Sequence, residues 1–340
     1  MPPPGQAVPP LRAPTARLGN CLLCSPFRRL WLGLKIVTSA SSIGKLGLGT
    51  VQFGLAYGVT NERGQVPPAE VAAILAAALS AGIDLFDTAA AYGASERVLG
   101  NALGSWADVR VVSKLPALAA DRIGEAEIEQ CRTALEKSLA LLRRRSIYAL
   151  LLHRPDDLRK PGAERLVALL EELKSAGTVA KIGVSVYDRP EIDLALDRLP
   201  LDAVQVPVNL LDQRLLRDGT LDRLRRRNVE VHARSAFLQG ALLVEPTALP
   251  GHFAPYRDRL TAVGIAAERA GLSRLALCLR FVLEQPTIDR VIVGVTGVAE
   301  LRQSLAAASD PTPLPDGLSA LAGDDPRLFN PALWPAKPRP

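Results

Sequence analysis

Ile83-Asp-Leu-Phe-Asp87-Thr-Ala-Ala-Ala-Tyr92-Gly-Ala-Ser-Glu96 is the stretch whose reading decides the fold. An apolar run ends at Asp87, a polar turn follows, and Tyr92 stands five residues on. The pattern predicts a buried strand that delivers a carboxylate at its C-terminal end, with a tyrosine on the loop above it. Three more runs repeat the arrangement: Val109 to Lys114 ends in a lysine, Ile147 to His153 in a histidine, and Ala180 to Ser185 in a serine. Four strands that finish in polar or titratable groups point to one site at the mouth of a parallel barrel.

The remainder of the chain alternates in the same way. Strands are expected at Leu46–Thr50, Ile83–Asp87, Val109–Lys114, Ile147–Leu152, Ala180–Ser185, Ala203–Val206, Val229–Ser235 and Arg290–Val293. Apolar stripes at helical spacing predict helices between them, among them Pro67–Ala81, Glu125–Arg143, Leu215–Arg227 and Val298–Ala308. Eight strand-helix units predict an α/β fold, a single (β/α)8 TIM barrel over residues 43–310. Residues 1–42 read as a disordered, proline-rich extension, within which Leu34 to Gly44 could form a hairpin plugging the barrel floor. Residues 311–340 read as an irregular tail on or near the barrel mouth.

The 340 residues are 48% apolar and 22% charged, a globular composition. The net charge of +6 is carried by Arg12, Arg17, Arg28, Arg29, Lys35 and Lys45, which precede the first acid, Glu62. Residues 46–340 are therefore neutral, and the charge reports a tail rather than a nucleic-acid-binding face. Cys21 and Cys24 have no second pair or nearby histidine, so no metal is expected; Cys131 and Cys278 fall on apolar helix faces as core thiols. The cysteines suggest a reducing compartment, and no apolar run reaches membrane-spanning length. A cytoplasmic protein with no membrane partner is expected.

Tyr92 is the natural proton donor of the constellation. A free phenol, with a pKa of about 10, trades protons poorly at neutral pH. An ammonium at Lys114 would lower that value, and Asp87 would hold the lysine. A neutral His153 could then orient a carbonyl oxygen towards the phenol. Taken singly, each residue also has a structural reading, as a helix cap, a packed ring, a surface charge or a core histidine. His232 and His252 lack such company and read as structural. There is no Gly-x-Ser-x-Gly elbow for serine hydrolysis.

The chain resembles the aldo-keto reductase superfamily. The resemblance rests on the quoted stretch with Gly82 before it, on Leu46-Gly-Leu-Gly-Thr50, on Ser113-Lys114 and on Leu151-Leu-His-Arg-Pro155. The family tetrad falls on Asp87, Tyr92, Lys114 and His153. The resemblance implies a barrel that binds NADPH, or NADH, without a Rossmann fold and reversibly reduces aldehydes or ketones. It implies cofactor contacts at Gly49 and Thr50, and at Ser185 and Gln205 for the nicotinamide amide. Val186 stands where relatives often carry an asparagine. Ser235, Phe237, Gln239 and Gly240 belong to the strand-seven loop expected over the pyrophosphate, and Arg234 precedes it where many relatives carry an aromatic. Gly294, Thr296, Glu300 and Ser304 belong to the adenosine-phosphate segment. Glu300 stands where NADPH users often place an arginine, so a carboxylate would repel the 2′-phosphate unless Arg302 compensates.

Leu48 to Thr60 and Val208 to Arg214 further resemble a bacterial branch often associated with polysaccharide and modified-sugar pathways. That likeness suggests a small, sugar-like carbonyl substrate, with Phe53 and Tyr57 on the loop at the barrel mouth. Trp334 could close the mouth or pack on the barrel side. The chain is expected to act as a monomer or small homo-oligomer. Two other readings keep the barrel: a cofactor-binding regulatory subunit with little turnover, and a lyase or isomerase.

Overall fold

The computed structural model describes residues 40–335, apart from Ser105 and Ala107. Eight parallel strands close into a barrel in sequence order: β1 Leu46–Gly49, β2 Leu85–Asp87, β3 Arg110–Leu115, β4 Ile147–Leu152, β5 Val179–Ser185, β6 Ala203–Pro207, β7 Glu230–Arg234 and β8 Arg290–Gly294. β1 closes the ring on β8, from Leu46 opposite Val291 to Gly49 opposite Gly294. This is the expected (β/α)8 architecture, with strand ends shifted by one or two residues. The expected N-terminal extension lies outside the described residues as far as residue 39, together with Cys21, Cys24 and most of the floor hairpin. The last part of that hairpin is instead one helical turn, Ala40–Ile43.

Strand alternation divides the core into two. Leu85, Val112, Ala149, Leu151, Ala203 and Ile292 pack together as the barrel interior. Their neighbours Phe86, Val111, Leu150, Leu152 and Val204 join the larger cluster between sheet and helices. Successive strand side chains point to opposite faces. Asp87 therefore lies two residues above Leu85 on the inner face, Lys114 above Val112, and Gln205 above Ala203. The interior Leu85, Val112 and Ala203 of three separate strands thus fix where three polar groups emerge.

The helices begin and end where local chemistry dictates. Asp188 Oδ1 accepts from the Glu191 amide at 3.1 Å and starts Arg189–Arg198. Ser273 Oγ accepts from the Ala276 amide at 3.0 Å and starts Arg274–Leu283. The single helix expected over Leu215–Arg227 is two, Arg214–Arg217 and Thr220–Arg226. Gly219 between them adopts a left-handed φ of 74°, and Asp218 Oδ1 accepts from the Thr220 amide at 2.9 Å. An Asp-Gly pair is a turn signal that outweighs the apolar stripe running through it.

Buried polar groups brace the strands. Glu96 is buried on the helix Ser95–Leu103 and accepts from Ser113 Oγ at 2.6 Å and Ser138 Oγ at 3.0 Å. Ser113 is the outward-facing neighbour of Lys114, so one carboxylate clamps β3 between two helices. At the floor, Glu230 accepts from Tyr148 Oη at 2.6 Å and meets Lys181 and the ring of His232. Burial opposes ionisation of Glu230, but the bonds from His232, Lys181 and Tyr148 outweigh it and hold the carboxyl well below its usual range. Among the described residues no helix is long and apolar enough to cross a membrane.

The C-terminal tail is anchored on the segment after β6. Gln213 Nε2 donates to Leu210 O at 2.8 Å and to Leu318 O at 2.9 Å. The Gly323 amide donates to Leu211 O at 2.8 Å, and the Arg214 guanidinium lies 5.2 Å from the Phe329 ring centroid. Trp334 packs on His252 and Phe253.

Removing the Glu96 clamp should cost stability. Glu96→Ala leaves two buried hydroxyls short of an acceptor and opens a cavity, an expected loss of about 2–4 kcal/mol. Urea denaturation of the variant against the parent measures it, and a loss within about 0.5 kcal/mol, the range of an ordinary surface change, would show that the clamp is dispensable.

Candidate active site

A groove of about 910 Å³ opens at the C-terminal end of the barrel. Asp87, Tyr92 and His153 lie in its wall, and Lys114 is buried directly behind it. Lys114 Nζ donates to Asp87 Oδ1 at 2.8 Å, Asp87 Oδ2 at 2.9 Å and Thr88 O at 2.9 Å. Asp87 Oδ1 also accepts from Gln205 Nε2 at 2.7 Å. The main chain at Asp87 is fixed in turn: Thr50 donates to Asp87 O through its amide at 2.9 Å and its hydroxyl at 2.9 Å. Ser95 Oγ donates to Thr50 O at 2.7 Å.

Tyr92 stands over this pair. Its ring centroid lies 5.0 Å from Lys114 Nζ and 5.9 Å from the His153 ring, which it meets edge-on. The loop carrying Tyr92 is seated against Gly54, where a Cβ would lie 1.9 Å from Tyr92 O, so only glycine admits this approach. Burial lifts the Tyr92 phenol above its ordinary pKa, and Lys114 offsets this only in part. The expectation that the ammonium wins is thereby corrected for the free protein: desolvation of the phenolate is the larger effect. Burial would discharge Lys114, but the Asp87 carboxylate holds its pKa above the ordinary value. Burial first, and then the Lys114 charge, push His153 down to about 4, so its imidazole is neutral near pH 7.

The other expected site residues divide unevenly. Gly49, Thr50, Ser185, Gln205, Ser235, Phe237, Gln239, Gly240, Gly294, Thr296 and Glu300 all line the groove. Ser304 does not: it is buried in its helix, and its hydroxyl donates to Glu300 O at 2.9 Å. Phe53 is fully buried because the turn Val51–Gly54 rotates it inward, whereas Tyr57 stays exposed on the groove. Arg302 is exposed and is absent from the groove wall.

The β7 loop carries a conformational signature that sequence did not announce. Ser235, Leu238 and Gln239 adopt left-handed φ values of 62°, 48° and 55°, and Gly240 follows at 93°. Each non-glycine residue in that region costs about 1–2 kcal/mol. The loop is held by the β1 loop: the Val59 amide donates to Gln239 O at 3.0 Å, and Thr60 Oγ1 lies 2.0 Å from where a Cβ on Gly240 would sit. At the far end, Glu300 is folded back on its own helix start. Its Oε2 accepts from the Thr296 amide at 2.7 Å and its Oε1 from Thr296 Oγ1 at 2.6 Å.

These features fit a nucleotide with a carboxamide and phosphates. A strained cradle lies along one wall of the groove, and Gln52 Oε1 beside Gly294 is buried without a hydrogen-bond partner. A long groove with convergent polar groups is the usual form of a cofactor and substrate site.

Comparison with known proteins identifies the family. The model of the aldo/keto reductase family matches residues 45–316. Oxidoreductase YdhF of Escherichia coli is 30% identical over a stretch that spans about half of each chain, 51% of this one and 55% of that one. The 6-dehydroglucose reductase of Novosphingobium aromaticivorans is 28% identical over 71% of this chain and 81% of its own. Among solved structures, the holo form of aldo-keto reductase AKR11C1 from Bacillus halodurans superposes with a TM-score of 0.65 at 21% identity, over 82% of this chain and 92% of that one. The matched span contains all eight strands and the whole Asp87–Tyr92–Lys114–His153 cluster, and the chain belongs to the aldo/keto reductase family of oxidoreductases.

Proposed function

We propose that the protein is a nicotinamide-dependent carbonyl reductase that converts an aldehyde or ketone to an alcohol at the Tyr92 hydroxyl. The observation that carries this reading is the stacking of three groups in one place: the buried Asp87–Lys114 pair, the Tyr92 ring above it, and the neutral His153 against that ring. A bound reduced nicotinamide would supply the hydride. The neutral His153 donates a hydrogen bond to the substrate oxygen and turns it towards Tyr92. Tyr92 Oη releases its proton to that oxygen as negative charge develops there. The Lys114 ammonium stabilises the resulting phenolate, and Asp87 keeps the lysine charged and in place. Solvent then restores the phenol.

The free enzyme keeps Tyr92 protonated, the state a proton donor requires before reduction. NADPH is the common reductant of the family, but Glu300 favours NADH here. Its carboxylate sits at the groove end with no cation paired to it among the described residues, so it would repel a 2′-phosphate and accept from a free ribose hydroxyl. The name of the Novosphingobium relative supports a polar, sugar-like carbonyl substrate. The buried free thiols Cys131 and Cys278 suit a reducing, cytoplasmic setting.

Three outcomes are expected. Tyr92→Phe should lower kcat for carbonyl reduction by about 10²–10⁴-fold with nucleotide affinity near the parent's, read from nicotinamide oxidation and fluorescence titration; undiminished turnover would remove Tyr92 from the step. Glu300→Arg should move the NADPH-to-NADH preference towards NADPH by at least about tenfold, and an unmoved ratio would mean that the segment does not face the ribose. His153 should show no imidazole titration between about pH 5 and pH 8 by NMR. Its folded pKa of about 4 lies below its unfolded value, so the stability it contributes is full above about 6.5 and is lost as pH falls towards 4. An inflection near neutrality would contradict the neutral role.

A further inference from the structure

Arg234 enters the groove from the end of β7, where its Nη1 donates to Ser235 Oγ at 3.4 Å, and the rest of its head reaches across the barrel mouth. Its Nη2 donates to Val186 O at 3.0 Å, and its guanidinium lies 4.3 Å from the Tyr187 ring centroid. Val186 and Tyr187 follow β5, so the side chain crosses over β6 and is held above the β5 end. Arg154, next to His153, follows the adjacent strand β4 and lines the same groove. The two cations therefore flank one sector of the barrel mouth, beside the neutral imidazole, with Arg234 also touching the start of the β7 loop at Ser235.

Neither arginine has a carboxylate within ion-pair distance among the described residues. The acids nearby are already engaged. Asp212 binds Arg214 through Nε at 2.8 Å and Nη2 at 2.9 Å. Asp156 meets Arg159 at 3.3 Å, Glu191 accepts from the Tyr187 amide, and Asp188 caps the next helix. At the reacting end of the groove Lys114 is neutralised by Asp87, which leaves two uncompensated positive charges. A neutral carbonyl compound would leave that excess unanswered, whereas an anionic group would be drawn to it.

We infer that the substrate carries an anionic oxygen group, a carboxylate or a phosphate, bound between Arg234 and Arg154 while its carbonyl lies at Tyr92 and His153. This rests on the carbonyl-reductase reading of the same groove. Arg234 is well placed to hold such a group. The Tyr187 ring fixes the guanidinium plane, and a planar fork pre-positioned in this way binds oxyanions with little loss of freedom. Arg154 is exposed and adapts to the length of the substrate.

Matched aldehydes test the inference: benzaldehyde against 4-carboxybenzaldehyde, and glyceraldehyde against glyceraldehyde 3-phosphate. The parent should prefer the charged member of at least one pair by about tenfold or more in kcat/KM, chiefly through KM, and the better pair tells carboxylate from phosphate. Arg234→Gln should lower that charged-to-neutral ratio by about tenfold, and Arg154→Gln, at the exposed arginine, by about threefold. A parent that shows no charged preference overturns the inference, as does an Arg234→Gln variant whose nucleotide affinity falls while the ratio holds. Calorimetric binding of terephthalate in the presence of nucleotide keeps the two readings apart. Anion binding that Arg234→Gln abolishes, without turnover of any aldehyde, would retain the anion subsite and reject the reductase. Turnover of neutral aldehydes with no anion binding would do the reverse.

Discussion

The ion pair of Asp87 with Lys114 is the constraint on which the rest of the structure depends. Removing a carboxylate and an ammonium from water costs several kcal/mol per ion, and their attraction repays this only when the remaining hydrogen-bonding capacity is also met. Here it is met. The ammonium has three acceptors, and the carboxylate has the lysine and the Gln205 amide. Those partners come from β2, the loop after it, β3 and β6, so the pair holds its geometry only if the barrel closes correctly. Thr50 and Ser95 fix the Asp87 main chain, and Glu96 fixes the strand that carries Lys114.

This arrangement also explains what was legible in the sequence. Asp87 and Lys114 follow from a rule that needs no tertiary knowledge, because residues two apart on a strand share a face, whereas Gln205 is reached only through the family resemblance. Once the apolar residues Leu85, Val112 and Ala203 claim the interior, the polar groups above them have only the mouth to occupy. The helix break at Asp218-Gly219 is missed by the same kind of reading: the apolar stripe over Leu215–Arg227 predicts one helix although both residues are turn formers. The rest depended on distant neighbours. Phe53 and Tyr57 are both aromatic residues of one loop, and only the helical turn at Val51–Gly54 decides that one is buried and the other faces the groove. Ser304 stands one helical turn after Glu300, and its hydroxyl found a nearer acceptor in the backbone.

Val208–Arg214, a segment whose likeness suggested a substrate class, has a structural account. Asn209 Oδ1 accepts from the amides of Leu211 and Asp212 at 2.9 Å each, Asp212 pairs with Arg214, and Gln213 holds the tail. Pro331 and Ala332 of that tail line the groove. The segment bears on the site by setting where the tail lies and by holding two groove residues, Ser235 through Asn209 at 3.2 Å and Tyr187 through Arg214 at 3.2 Å, while none of its own side chains lines the groove.

Electrostatics then distinguishes the two ends of the groove. The Glu300 carboxylate lies at one end, where its oxygens are tied to Thr296, and the Arg154 and Arg234 guanidiniums lie towards the other, around the β4 and β5 ends. A bound nucleotide would bring its phosphates to the strained β7 loop between them, in a groove that Glu62 and Arg63 of the β1 loop also line. Arg234 could have faced those phosphates, since it immediately precedes that loop. Its Nη1 keeps one bond to Ser235 Oγ at 3.4 Å, but the shorter bond to Val186 O at 3.0 Å and the contact with Tyr187 draw the guanidinium towards the β5 end. A cation placed beside a site that must accumulate negative charge on oxygen also lowers the cost of that charge. On the reading proposed above, the same reach of one side chain across β6 would serve recognition of an anionic substrate and would stabilise negative charge on the oxygen reduced beside His153.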